Sequence, residues 1–200
     1  MDSMYIGSSD CAALLAGLKT ESHGNLLRRF VSNEKPYYNA KASPIDALRT
    51  GAILEDRYFL TLPDGYYEQS KAYCSELDIL RSSIDFSLWD DGKIIDFDEL
   101  KTSNFEDFLK LHDADINYIK KKYKNNYNQV QFQLLCTGLD SANIVFLSVY
   151  SYDDEVNINR DIQPNDILKF RVERDEEVID KIRTRSAIFQ NLKDYYTKTD

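Results

Sequence analysis

SSIDFSLWDDGKIIDFDELKT, running from Ser82 to Thr102, is the stretch from which this chain is best read. Two runs rich in β-branched and aromatic residues flank Asp90-Asp91-Gly92, the composition of a tight hairpin turn. Strand residues two apart share a face, so Glu99 and Lys101 point the same way. With Asp91-Gly92 as a two-residue loop, Asp85 stands opposite Asp98; a slip of one residue puts it opposite Glu99. Either register brings two carboxylates and an ammonium together. Two carboxylates at close range repel unless a cation lies between them. Oxygen ligands suit Mg2+ or Mn2+, and a lysine nearby orients or polarises a water on that ion. Such a group is a metal-dependent hydrolytic site for phosphodiesters. The plain alternative is an exposed salt bridge, since an E-x-K triplet is common by chance. Placement argues for the site: IIDFDELKT embeds its acids in a half-apolar strand, where desolvated charge needs a reason.

Working outward, 200 residues suffice for one domain with a real core. The apolar fraction of 42% and the many aromatics exclude a disordered chain. No apolar run approaches a membrane span, and the N-terminus lacks the pattern of a signal peptide. Cys11, Cys74 and Cys136 are widely spaced and odd in number, which fits buried thiols in a reducing, cytoplasmic compartment. No C-x-x-C, P-loop, G-x-G-x-x-G or Ser-His-Asp set is present, and neither His23 nor His112 has the partners of a zinc site. The net charge of −9 works against non-specific DNA affinity, which comes from Lys and Arg on phosphates. A local basic strip can offset it, and Lys120, Lys121 and Lys122 in IKKKYK are its candidates; a solvated helix face is the alternative.

Within Ile6–Leu18 a short helix is predicted from an N-cap at Ser8 or Ser9 to near Gly17, and another over Asn25–Asn33. Ser43-Pro44 open a third that runs to about Leu62. Strands follow at Tyr66–Tyr73, Glu76–Phe86 and Lys93–Lys101, forming a meander. A short helix at Asn104–Leu111 and one long helix over about Ile116–Thr137 come next. Then come a buried strand at Ala142–Tyr152, short strands near Val156–Ile158 and Leu168–Val172, and a closing helix from about Asp175 to Tyr196. The order predicts a single α/β (α+β) domain over 1–200: a central mixed sheet with an antiparallel meander, flanked by helices. Its core spans about 43–152, with N-terminal helices in 6–33 and the C-terminal helix in about 175–196.

Further candidates gather round the hairpin. Gln129 and Gln133 lie one turn apart on one face of the long helix, with Gln131 roughly opposite. They are either solvent-facing positions or, for Gln129, an amide bound to the site lysine, a scissile phosphate or a metal-bound water. Glu55 is either a helix-surface acid or a further carboxylate facing the sheet. Glu76 or Asp78, upstream of Asp85, is either another ligand or an edge charge. Ser8, Ser9 and Asp10 stand at a helix start, where an anion can dock but plain capping is the simpler reading. Ser83 shares a face with Asp85.

In that order these segments resemble the PD-(D/E)xK nuclease superfamily, specifically the phage lambda exonuclease and YqaJ-like viral recombinase family. IGSSDCAALL is similar to the family's opening segment, and GAILED to the helix carrying its glutamate. SSIDF followed by DELK resembles its aspartate and E-x-K strands, YNQVQFQLLCTG its glutamine helix, and FRVERDEEVIDKI its strand-to-helix close. The resemblance implies a restriction-endonuclease-like core and a Mg2+-dependent deoxyribonuclease (Mn2+ as substitute) digesting duplex ends. It implies Asp85, Glu99 and the Leu100 backbone carbonyl on the metal, Lys101 positioning the water, Gln129 in support and Glu55 as an outer acid. Ser9 and Ser83 match positions that contact a terminal phosphate. A single-strand annealing protein as partner, a ring-shaped homo-oligomer around DNA and a phage or prophage origin in a bacterial host are implied too. Departures are Ile84 in place of the family's proline and the lack of an arginine before IGSSD, which puts strict 5′ phosphate dependence in doubt. A nuclease-like binding module and an endonuclease on the same fold are the competing readings.

Overall fold

Hydrogen-bonded pairing of Asp90 with Lys93 leaves Asp91 and Gly92 as the two-residue loop between β3 (Leu80–Asp90) and β4 (Lys93–Asn104). Both loop residues have positive φ, 45° and 72°, as the twist-matched hairpin turn requires. Past the turn Trp89 pairs with Ile94 but Leu88 pairs with Asp96, so Ile95 is bulged out and 48% exposed. The bulge converts one register into the other. Phe86 pairs with Asp98, and the next step along puts Asp85 level with Glu99.

The structure, a computed structural model, describes residues 4–32, 45–150 and 159–197. The Ser43-Pro44 helix start and the strand near Val156–Ile158 lie outside them. Six strands form one mixed sheet. β1 (Ile6–Gly7) pairs parallel with the start of β3, and β2 (Tyr66–Tyr73) runs antiparallel along it. β5 (Ser141–Val149) is parallel to β4, and β6 (Ile167–Glu173) is antiparallel to β5. Since β2 occupies one edge of β3, β1 and β4 must share the other. They meet its two ends, and on that edge no described strand pairs with residues 82–85. The fork exposes a short length of β3 edge at Asp85.

The helices are α1 (Cys11–Leu15), α2 (Glu21–Val31), α3 (Ile45–Phe59), α4 (Phe105–Leu111), α5 (Ile116–Lys122), α6 (Lys124–Thr137) and α7 (Glu176–Thr197). β5 alternates between two cores: Ile144 and Phe146 join Phe97, Val130, Leu134 and Phe189, while Val145 and Leu147 join Leu54, Tyr58, Phe86 and Leu100. The first core lies under α6 and α7, the second under α3. A central strand covered on both sides carries a continuous apolar run, as β5 does from Ile144 to Leu147.

Three expectations change. The short helix expected from Ser8 or Ser9 to near Gly17 opens as a 3-10 turn at Ser8–Asp10 and is helical only over Cys11–Leu15, while Ile6 before it joins the sheet beside Leu80. The turn is closed by Asp10, whose carboxylate accepts from the Gly7 N–H at 3.1 Å. The long helix breaks at Tyr123, φ −111° and ψ 41°, where the ring packs 4.7 Å from that of Phe146. Local periodicity carries no record of that contact. Lastly β3 begins at Leu80, which leaves Glu76 and Asp78 in the preceding turn.

Candidate active site

Glu99 is 1% exposed in the middle of the sheet, yet three donors hold its carboxylate. Lys101 Nζ donates to Oε1 at 2.5 Å, Gln129 Nε2 to Oε1 at 2.6 Å, and Gln133 Nε2 to Oε2 at 2.5 Å. The strand pleat delivers Lys101, and the helical i, i+4 spacing delivers both glutamines from α6. Gln133 also donates to the Ser83 carbonyl at 3.2 Å, tying α6 to both strands of the hairpin. Charge-assisted bonds of this kind are the strong ones, and together they fix the Glu99 rotamer.

Asp85 sits at the fork. Where a ladder bond would have continued, its Oδ2 accepts from the Leu100 N–H at 2.9 Å. Burial, and after it the Glu99 charge, push the Asp85 carboxyl up to about 8. Lys101 shows the balance from the other side. Burial works against its charge, but Glu99, Asp85 and Glu55 outweigh it and hold its pKa above the ordinary lysine value. Burial raises Glu55 as well, with Lys101 pulling it down and Glu99 pushing it up, so α3 brings Glu55 within electrostatic reach of the cluster.

The donor set suits a hard divalent cation. Asp85 is a half-buried carboxylate with, among the described residues, one N–H partner and a second carboxylate in its field; positive charge there would let both ionise. Asp85, Glu99 and the Leu100 carbonyl could hold such an ion, with Glu55 at the margin. Among the described residues no three His, Cys, Asp or Glu side chains already converge on one point.

The other candidates are placed as follows. Ser83 Oγ accepts from Lys71 at 2.8 Å and donates to Gln69 at 3.0 Å, facing β2. Ser9 is exposed on the 3-10 turn, which packs against β3 and α6. Lys120 forms an ion pair with Asp175 beside the Tyr127 ring, which takes it out of a free basic strip; Lys121 and Lys122 are exposed in the last turn of α5. Glu76 is bound by Arg183 at 2.7 Å and Asp78 by Lys193 at 2.6 Å, both on α7, so the upstream acids brace the C-terminal helix. Gln131 donates to the Glu173 carbonyl at 2.8 Å and accepts from the Asp175 N–H at 2.7 Å, fastening β6 to α7.

Two features escaped the sequence. Gln133 is as much a part of the cluster as Gln129, and its only signal was the shared face. On the other side of the sheet Asp98, 0% exposed, accepts from Tyr58 at 2.7 Å, Lys169 at 2.8 Å and Asn143 at 2.8 Å. Tyr58 stands one turn beyond Glu55, so this bond clamps α3 to the strand that carries Glu99.

No protein-family model matches the sequence, and no curated protein matches it. Solved structures do. A phage-related exonuclease from Haemophilus somnus 129PT superposes with a TM-score of 0.66 at 17% identity, over 98% of this chain and 96% of that one. An alkaline exonuclease from Laribacter hongkongensis gives 0.60 at 16% identity, over 98% and 92%. The structure of the same exonuclease with dAMP gives 0.60 at 18% identity, over 98% and 90%. The chain is therefore a nuclease-fold α/β protein. Within that class its sheet and helices resemble those of the alkaline and phage-related exonucleases along nearly their whole length.

Proposed function

We propose that the chain is a Mg2+-dependent deoxyribonuclease (Mn2+ as substitute) that hydrolyses phosphodiester bonds of duplex DNA from an end, as an exonuclease of phage-type recombination. The observation that carries this reading is the meeting of Asp85, Glu99 and Lys101 at the sheet fork, with Glu99 immobilised by two amides. Asp85, Glu99 and the Leu100 carbonyl would hold a divalent ion, which would supply a more acidic water and neutralise charge on the phosphate. The chain's own residues do the rest. Gln129 and Gln133 hold Glu99 in one orientation. Lys101, kept cationic by the surrounding carboxylates, orients the attacking water and stabilises the phosphate's developing charge; as the new P–O bond forms and the old one breaks, the water's proton passes to solvent and the leaving oxygen takes one from it. A single-strand annealing protein as partner and a ring around the duplex belong to the same proposal.

The test is digestion of linear and of closed-circular duplex DNA, each with and without Mg2+. Linear DNA alone is expected to be consumed, with Mg2+ alone, and Glu99→Ala and Lys101→Ala are expected to abolish digestion with the circular dichroism spectrum unchanged. Digestion by both variants at the parent rate would remove the assignment, and cutting of the closed circle would make the protein an endonuclease.

A further inference from the structure

On a chain of net charge −9, one cavity has no carboxylate in its wall. It encloses about 560 Å³ between α1, α6 and α7, and its polar lining is Lys124, Asn125, Asn128, Lys181 and Arg185. Among the described residues Lys124 and Arg185 have no ion-pair partner, while Lys181 pairs with Glu177 at 2.6 Å. The first turn of α6 opens onto this space, and no side chain caps that helix. Its unpaired N–H groups and dipole favour an anion. Asn128 is a second, independent sign. It is 5% exposed, its backbone carbonyl accepts from Cys11 Sγ, and among the described residues its amide side chain has no hydrogen-bond partner. Its amide lines the cavity, where water is the partner left to it, and a phosphate there would take the place of that water. Asn125 continues the stripe of Gln129 and Gln133, so the cavity begins one helical turn from the Glu99 cluster.

We propose that this cavity is a phosphate-binding site, separate from the Glu99 cluster, that takes a phosphate group carried by a polynucleotide strand or by a mononucleotide. Lys124 and Arg185 supply the charge, and Asn128 and the first turn of α6 supply directed N–H donors. The phosphate site stands without the nuclease reading; only the assignment of DNA as its carrier rests on it.

The experiment is titration of the full chain with inorganic phosphate, with dAMP and with a short single-stranded oligonucleotide, at several salt concentrations. The protein is the parent, Lys124→Gln/Arg185→Gln, or Lys124→Arg/Arg185→Lys. The neutral double variant is expected to lose about tenfold in affinity and to shallow the oligonucleotide salt slope by about 1.4, near 0.7 per cation. The charge-conserving variant is expected to retain binding, and unchanged thermal melting controls for folding. Loss confined to the oligonucleotide names the strand as carrier; equal loss with dAMP names the mononucleotide. Digestion by the neutral variant is expected to show a raised KM at unchanged kcat, because neither cation touches Glu99 or Lys101. Parent-like affinity and salt slope in the neutral variant overturn the site, whatever its nuclease activity. If the parent binds phosphate through these residues yet digests no DNA, it is the nuclease reading that fails.

Discussion

Glu99 and Asp85 differ in how much positive charge each already has. Glu99 holds three donors, whereas Asp85 has one N–H, and its carboxyl is pushed up to about 8 from 3.8. A group whose folded pKa is raised binds its proton longer in the native state, so stability falls as pH rises from about 4 to about 8. Thermal melts of the metal-free protein are expected to decline over that window and level off above it. Asp85→Asn removes the slope, and Mg2+ raises the melting temperature more at pH 8 than at pH 5. A flat profile in the parent would contradict the burial of Asp85. Gln133 belongs at this scale too. Gln133→Leu takes from Glu99 Oε2 its only donor among the described residues, and partners of this outer kind cost about 10–100-fold when removed. Single-turnover digestion at saturating Mg2+ checks that loss. The Glu99–Lys101 pair was legible in the sequence because a strand pleat is strictly periodic. Gln133 was half legible: the shared face is helical arithmetic, but what it faces depends on how α6 lies on the sheet.

Among the elements, the hairpin and the α3 clamp set the geometry. The turn residues Asp91 and Gly92 announce a two-residue loop, and the loop forms. The bulge at Ile95 has no such announcement, yet it moves Asp85 from Asp98 to Glu99. Bulges arise where twist and packing around a strand demand them, and beyond this one Asp98 meets Tyr58 on the opposite face. Tyr58→Phe leaves the Asp98 carboxylate short of one buried donor. Hydrogen bonds to charged groups contribute about 1.5–3 kcal/mol, and urea denaturation is expected to show a loss of that order. The same variant loosens the helix carrying Glu55, so Mg2+ half-saturation in the digestion assay should rise while Lys101 keeps its bond to Glu99. A variant as stable as the parent would show that the clamp contributes nothing.

For the molecule as a whole, charge is the governing quantity. With 34 acidic against 25 basic residues, approach to DNA is opposed except where cations are concentrated. A divalent ion at the cluster reverses the local sign. Duplex affinity measured with Ca2+ is expected to exceed that in chelator by about tenfold or more, and Glu99→Gln is expected to remove the gain. Equal affinities would separate DNA binding from the Asp85–Glu99 site. Composition, the turn signal and the alternation of β4 were enough, by themselves, to determine an α/β chain with an acid–acid–lysine hairpin, since these follow from neighbours a few residues apart. Tertiary structure alone decided the register of Asp85, the recruitment of Gln133, the diversion of Glu76, Asp78 and Lys120 into ion pairs, and the cation-lined cavity between α1, α6 and α7. Each of those joins residues distant in the chain, and such contacts are settled by packing, which no local pattern encodes.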